Sequence, residues 1–317
     1  MNRSIGLLFS LAVLLAAIFA FSPRPVPVFP ATGLRIDTVL LLDAARAGKR
    51  LVTVGDRGRI FLSDDEGGTW RAAVSPTQST LTSLFFIDEK HGWAAGHDGV
   101  VLRTADSGAQ WTQLRHAPED ERPLFAIRFD DLQRGTAIGA YAAYLETADG
   151  GKTWVEKKIA DSDRHYNALV VIEGGARLIA GESGTLLRSA DNGETWNALQ
   201  SPYKGSFFGL VWPGASNLVA FGLRGNVFHS SDLGEQWQAV PSQTQAALLG
   251  GRVGAAGATV LVGQNGTLLR SGDAGLTFTA QRDAGGASFA ATLPVANGDL
   301  LAFGERGVTR IVGFSKP

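Results

Sequence analysis

Six aspartates stand in one repeated setting, Ser/Thr-x-Asp-x-Gly with an aromatic five residues on: Asp65, Asp106, Asp149, Asp191, Asp232 and Asp273, followed by Trp70, Trp111, Trp154, Trp196, Trp237 and Phe278. Recurrent carboxylates can bind calcium or work in pairs as acid and base. Calcium takes about six to eight oxygen ligands, and one Asp per turn supplies too few. The same residues suffice for a structural role. The Asp accepts hydrogen bonds from its own hairpin, the Gly permits a positive φ, and the aromatic wedges between sheets.

The other chemistry-bearing types form no constellation. His91, His97, His116, His165 and His229 fall at different structural positions, without ligand spacing for a metal. The chain has no cysteine, which removes thiol catalysis, disulfides, Cys-ligated zinc and iron–sulfur clusters. Ser183 and Ser288 lack a Gly-x-Ser-x-Gly elbow. The recurrent Gly-x-x-Gly turns lead into strands, whereas a phosphate cradle needs a following helix N-terminus. The sequence therefore predicts no catalytic residue, no metal and no cofactor.

The elements that hold the aspartates form a repeat. Gly-x-x-Gly turns begin at Gly55, Gly96, Gly181, Gly222, Gly263 and Gly304, with a degenerate copy at Gly139-Ala-Tyr-Ala142. Their spacing is 41, 43, 42, 41, 41 and 41 residues. Fifteen residues before each lies an apolar strand opener: Leu40, Leu81, Leu124, Tyr166, Phe207, Leu248 and Phe289. A unit of this length fits four short strands, which is one propeller blade. Continuous apolar runs such as Leu84-Phe85-Phe86-Ile87 suit strands covered on both faces. The predicted fold is all-β, a seven-bladed propeller over residues 31–317. The seventh unit stops after its third strand near Gly313, so an N-terminal strand near Val28–Thr32 is expected to close the ring.

Composition agrees. Of 317 residues 40 are glycine, and 44% hydrophobic content excludes disorder. A net charge of −1 argues against nucleic acid as partner. An unbroken apolar run from Ile5 to Phe21 follows Arg3. This hydrophobic helix (residues 1–22) is read as a signal peptide or an uncleaved membrane anchor, and either exports the chain to the periplasmic or lumenal side. Residues 23–30 carry four prolines, a stiff linker running into the closing strand.

The stretches Gly92–Trp111 (GWAAGHDGVVLRTADSGAQW) and Gly181–Trp196 (GESGTLLRSADNGETW) resemble the photosystem II assembly/stability factor family of exported seven-bladed propellers. The resemblance covers residues 40–313. It implies a non-catalytic factor that binds membrane-protein subunits during assembly, and the chain is expected to be a monomer. Relatives occur in non-photosynthetic bacteria, some encoded beside transporters of the resistance-nodulation-division superfamily. The repeats also resemble those of bacterial neuraminidases (Asp-boxes), which keeps a cell-envelope glycosidase or glycan-binding protein as the alternative. That chemistry needs an arginine triad, which cannot be assigned here, and a tyrosine near the axis. Tyr144 sits in a third strand, while Tyr166 opens an inner strand and can face the channel.

A binding surface is expected where the Gly-x-x-Gly turns and the blade-to-blade connections share one face. Closing the ring brings blades 5, 6, 7 and 1 together, so Arg224, Asn265, Arg306 and Arg57 fall on one arc. The family resembled carries an arginine-rich patch, which these arginines match in type. Tyr203 and Lys204 add an exposed aromatic and a cation in one connection. The two extended connections, Arg115–Pro123 and Ile159–His165, flank blade 3.

Overall fold

The computed structural model describes residues 6–8, 11–16, 35–254, 257–296 and 298–314. The chain divides into residues 1–34 and 35–317. In the first part the described residues are helical, and no helix among the described residues is long and apolar enough to cross a membrane.

Residues 35–317 form seven antiparallel sheets, each a meander of consecutive strands. Blade 2 is representative, with strands Leu81–Phe86, Gly92–Gly96, Val101–Thr104 and Thr112–Arg115 in spatial order. Six sheets have four strands, and the seventh has the three strands Phe289–Pro294, Leu300–Gly304 and Gly307–Ile311. The expected closing strand at Val28–Thr32 lies outside the described residues.

Each blade buries both faces, which explains the apolar runs. In the second strand of blade 1, Val52 packs into a cluster with Leu84, Ala94 and Trp111 of blade 2. Its neighbour Leu51 points the other way, into a cluster with Leu301 and Phe303 of blade 7. Seven such clusters occur among the described residues, one at each junction between consecutive blades. The period-2 alternation of a strand thus divides side chains between two neighbours instead of between core and water.

The junction of blades 7 and 1 makes the ring. Its apolar cluster is flanked by Arg46 Nη2 donating to the Pro294 carbonyl at 3.2 Å and Arg310 Nη2 donating to the Glu66 carbonyl at 2.5 Å. The incoming chain also takes the place that a connecting segment takes in other blades. A Cβ on Gly307 (φ +67°) would stand 1.9 Å from the Ile36 carbonyl oxygen, as one on Gly58 would stand 2.2 Å from that of Thr77.

One strand opener differs from the sequence reading. In blade 1 the residue opposite Gly55 is Leu41, not Leu40. The first hairpin there closes tightly, with Ala47 paired to Arg50 across Gly48 and Lys49, so this blade is one residue shorter between opener and turn.

If the last junction carries the same load as the others, Phe303→Ala is expected to cost about 3–5 kcal/mol. The exposed Val312→Ala is expected to stay within about 0.5 kcal/mol. Urea midpoints followed by tryptophan fluorescence check both.

Candidate functional site

The six aspartate turns are closed on themselves. In blade 1, Ser63 Oγ donates to Asp65 Oδ1 at 2.8 Å and accepts from the Gly67 amide at 2.8 Å. The Thr69 amide and hydroxyl donate to the two Asp65 oxygens at 2.8 and 2.7 Å. The full pattern recurs at Asp149, Asp191 and Asp273; at Asp106 and Asp232 the Gln110 and Gln236 backbone amides donate, without the second hydroxyl. The indole N–H of Trp111, Trp154, Trp196 and Trp237 donates to the glycine carbonyl of its own turn at 2.9–3.1 Å. Phe278 has no such donor and serves by packing in the junction of blades 5 and 6. Trp70 packs edge-on against Phe303 at 5.9 Å. The donated hydrogen bonds hold the carboxyls of Asp65, Asp149 and Asp191 down to about 2, and Asp273 reaches about 2 against the opposing push of burial. These carboxylates are occupied by their own hairpins.

On the opposite face, the Gly-x-x-Gly turns lift their third residue off the surface. Arg57, Asp98, Ser183, Arg224 and Asn265 all adopt left-handed backbone angles, φ 51–58°. That conformation costs a non-glycine residue roughly 1–2 kcal/mol, and it points the side chain outward. Arg57, Arg224, Asn265 and Arg306 are all exposed. Arg57 is 4.0 Å from Asp56, and Arg306 Nη1 donates at 3.4 Å to the Gly285 carbonyl. In blade 7 the turn is a two-residue hairpin, Glu305-Arg306, between paired Gly304 and Gly307.

Lys204 is exposed, but Tyr203 departs from expectation. It is half-buried, with its ring 5.8 Å from Phe207 and 5.7 Å from Phe228, so it packs the blade 4–5 junction. Tyr166 likewise does not face the channel. It is fully buried between blades 3 and 4, with its hydroxyl unpartnered and its pKa pushed up by burial. Tyr144 donates to Glu146 at 2.9 Å, and burial together with that carboxylate pushes its pKa up to about 12.

Blade 3 explains the lengthened connections. Its degenerate turn places both Tyr141 and Ala142 in left-handed angles. The Tyr141 amide donates to His165 Nδ1 at 2.9 Å and the Ala142 amide to the Arg164 carbonyl at 3.0 Å. The extra residues of Ile159–His165 thus fasten the turn that lacks its second glycine. Tyr141 stands 60% exposed, edge-on to His165 at 4.8 Å.

Two sets of residues escaped the sequence reading. Third-strand arginines clasp the aspartate turn of the next blade: Arg188 reaches the Leu233 carbonyl at 3.2 Å and Glu235, and Arg310 reaches Glu66. Charges also stand inside the inner strands. Asp43 is the third residue of its strand, and Arg128 and Arg252 are each the fifth of theirs. All three line the central channel. Stacking the seven openers in register sets Arg128 and Arg252 apart as charges at one otherwise apolar position. A separate cleft of about 780 Å³ on the aspartate-turn face, between blades 3 and 4, is walled by Trp212 and the Arg177–Asp130 pair.

The family model described as photosynthesis system II assembly factor YCF48 matches residues 104–268. The chain is similar to the photosystem II assembly protein Ycf48 of Thermosynechococcus vestitus, with 38% identity over 42 residues, 13% of this chain and 12% of that protein. It is also similar to the chloroplastic photosystem II stability/assembly factor HCF136 of Arabidopsis thaliana, with 31% identity over 75 residues, 23% of this chain and 19% of that protein. The matches therefore span a small part of either relative's own length. The solved structure of YCF48 bound to D1 peptide superposes with TM-score 0.70 at 19% identity, covering 92% of this chain and 99% of that one. YCF48 from Cyanidioschyzon merolae gives 0.69 at 16% identity, covering 89% and 97%. The WD40 propeller of Doa1 gives 0.69 at 13% identity, covering 89% and 95%. At these identities the superpositions show the fold.

Because the folded carboxyls of Asp65, Asp149, Asp191 and Asp273 titrate near 2, below an unfolded Asp at about 3.9, their stabilisation is present above about pH 4. It is lost as pH falls toward 2. Urea midpoints measured between about pH 6 and pH 2.5 are expected to fall across that window, and less steeply in Asp191→Asn. Ser189→Ala, which strands the Gly193 amide, is expected to cost about 1–3 kcal/mol at neutral pH.

Proposed function

The chain belongs to the photosystem II assembly factor Ycf48 family, and from that membership we propose that it is a non-catalytic scaffold that binds a subunit of a membrane-protein complex during assembly. The match over residues 104–268 carries the reading. The solved YCF48 structure with a D1 peptide supports a partner of that kind, a segment of a membrane protein. The partner belongs to a photosystem or, in a non-photosynthetic host, to a transporter of the resistance-nodulation-division type. In this reading the propeller works on the exported side of the membrane, which the apolar run Ile5–Phe21 supports.

The contact surface in this reading is the turn face. Arg57, Arg224 and Arg306 offer guanidinium forks to acidic loops of the partner, with Asn265 and Lys204 beside them. Each blade spends its sheet faces on its neighbours, so the rims are left for recognition. Glycoside hydrolysis has less support. It calls for two carboxylates about 5–10 Å apart, whereas Asp43 is the one carboxylate among the described residues of the channel lining, and it is accompanied by two guanidiniums.

Glycine relieves left-handed strain, so Arg57→Gly and Arg224→Gly are expected to remove charge without loss of stability. Combined with Arg306→Gly, they are expected to abolish crosslinking of the chain to membrane-protein subunits in membranes of its host, while thermal melting stays within a few degrees. Unchanged crosslinking would refute the assignment of the contact to this arc.

A further inference from the structure

The seven inner strands surround a channel cavity of about 160 Å³, lined by residues of every blade. Its polar groups are mostly satisfied by backbone. Thr82 donates to the Leu124 carbonyl, Asn167 to the Phe207 carbonyl at 2.7 Å and Thr292 to the Leu301 carbonyl at 3.0 Å. Ser83 accepts from the Ile127 amide at 3.2 Å.

The charged groups also bond to backbone, but not to one another. Asp43 receives the Ala44 amide at 2.8 Å and the Leu84 amide at 2.7 Å. Arg252 reaches past blade 7 to donate Nη2 to the Ala44 carbonyl at 2.6 Å. Its Nε is sealed from solvent with no acceptor. Arg128 donates Nη1 to its neighbour's carbonyl at 2.7 Å and lies over the Phe85 ring at 5.4 Å. Burial pushes both guanidiniums down, and Asp43 opposes that in each. Neither arginine forms an ion pair with Asp43 within the described residues, so two half-buried cations share one carboxylate at a distance.

Two guanidiniums against one carboxylate leave the channel lining with an excess of positive charge. A further anion would relieve it. The cavity of about 160 Å³ has room for an anion the size of acetate, sulfate or phosphate. The apolar Leu42, Phe125 and Phe208 also line it.

We infer that the central channel is a binding site for one small free anion, a carboxylate or inorganic oxyanion, held between Arg128 and Arg252 with Asp43 limiting its charge. The site is separate from the arginine arc and does not depend on the partner proposed above. The glycines nearby have another cause: Phe221 fills the space over Gly209 and Gly251, where a Cβ would come within 2.0 and 2.7 Å of its ring.

The test is calorimetric titration of the full chain with sodium phosphate, sulfate and acetate at constant ionic strength, beside thermal melting in the same series. Saturable one-to-one binding of at least one anion, with a Kd of about 1 mM or tighter, and a melting point that rises with its concentration are expected. Arg252→Met and Arg128→Met should each weaken binding at least about tenfold and flatten the melting response, while Asp43→Asn strengthens binding by a similar factor. Arg57→Gly, on the outer face, should leave it unchanged. Absence of saturable binding to the unaltered chain by all three anions overturns the proposal whether or not the variants fold. So does equal binding by folded Arg252→Met.

Discussion

Everything in this propeller depends on each sheet having neighbours on both sides. A four-stranded meander standing alone would expose Leu51 on one face and Val52 on the other. Only a ring removes both faces of every sheet from water, and only if its last junction is as apolar as the rest. The cluster of Leu41, Phe61, Leu301 and Phe303, with Arg46 and Arg310 bridging its rim, meets that requirement.

This constraint divides the labour among the remaining residues. The aspartate turns resemble an array of reactive carboxylates, yet their oxygens are committed to Ser, Thr and backbone donors of the same hairpin. The third-strand arginines extend this work from blade to blade. The opposite turns are built at a cost in backbone strain, with non-glycine residues held at φ near 50–60°. The aspartate turns hold the same left-handed angles at Glu66, Ser107, Asn192, Leu233 and Ala274, so this strain belongs to the tight turns of both rims.

Much of the fold was legible because repeats multiply a weak local signal. One Gly-x-x-Gly turn says little, but seven at nearly constant spacing fix blade number and strand order. The slip at Leu40 came from the same source. A constant offset cannot register that Gly48 and Lys49 close a shorter hairpin in blade 1. Tyr203 and Tyr166 were misjudged because their burial is set by neighbouring blades, through Phe207 and Phe228 in one case and the blade 3–4 core in the other. The channel charges Asp43, Arg128 and Arg252 are far apart in sequence, and only closure of the ring brings them together.

With the sheets spent on one another, recognition is proposed to fall to the turn face. Hydrogen exchange of the full chain, alone and with its crosslinkable membrane partner, tests this most directly. Protection confined to residues 55–58, 222–225, 263–266 and 304–307 is the expected result. Protection centred on the aspartate turns, such as 63–70 or 189–196, would contradict it.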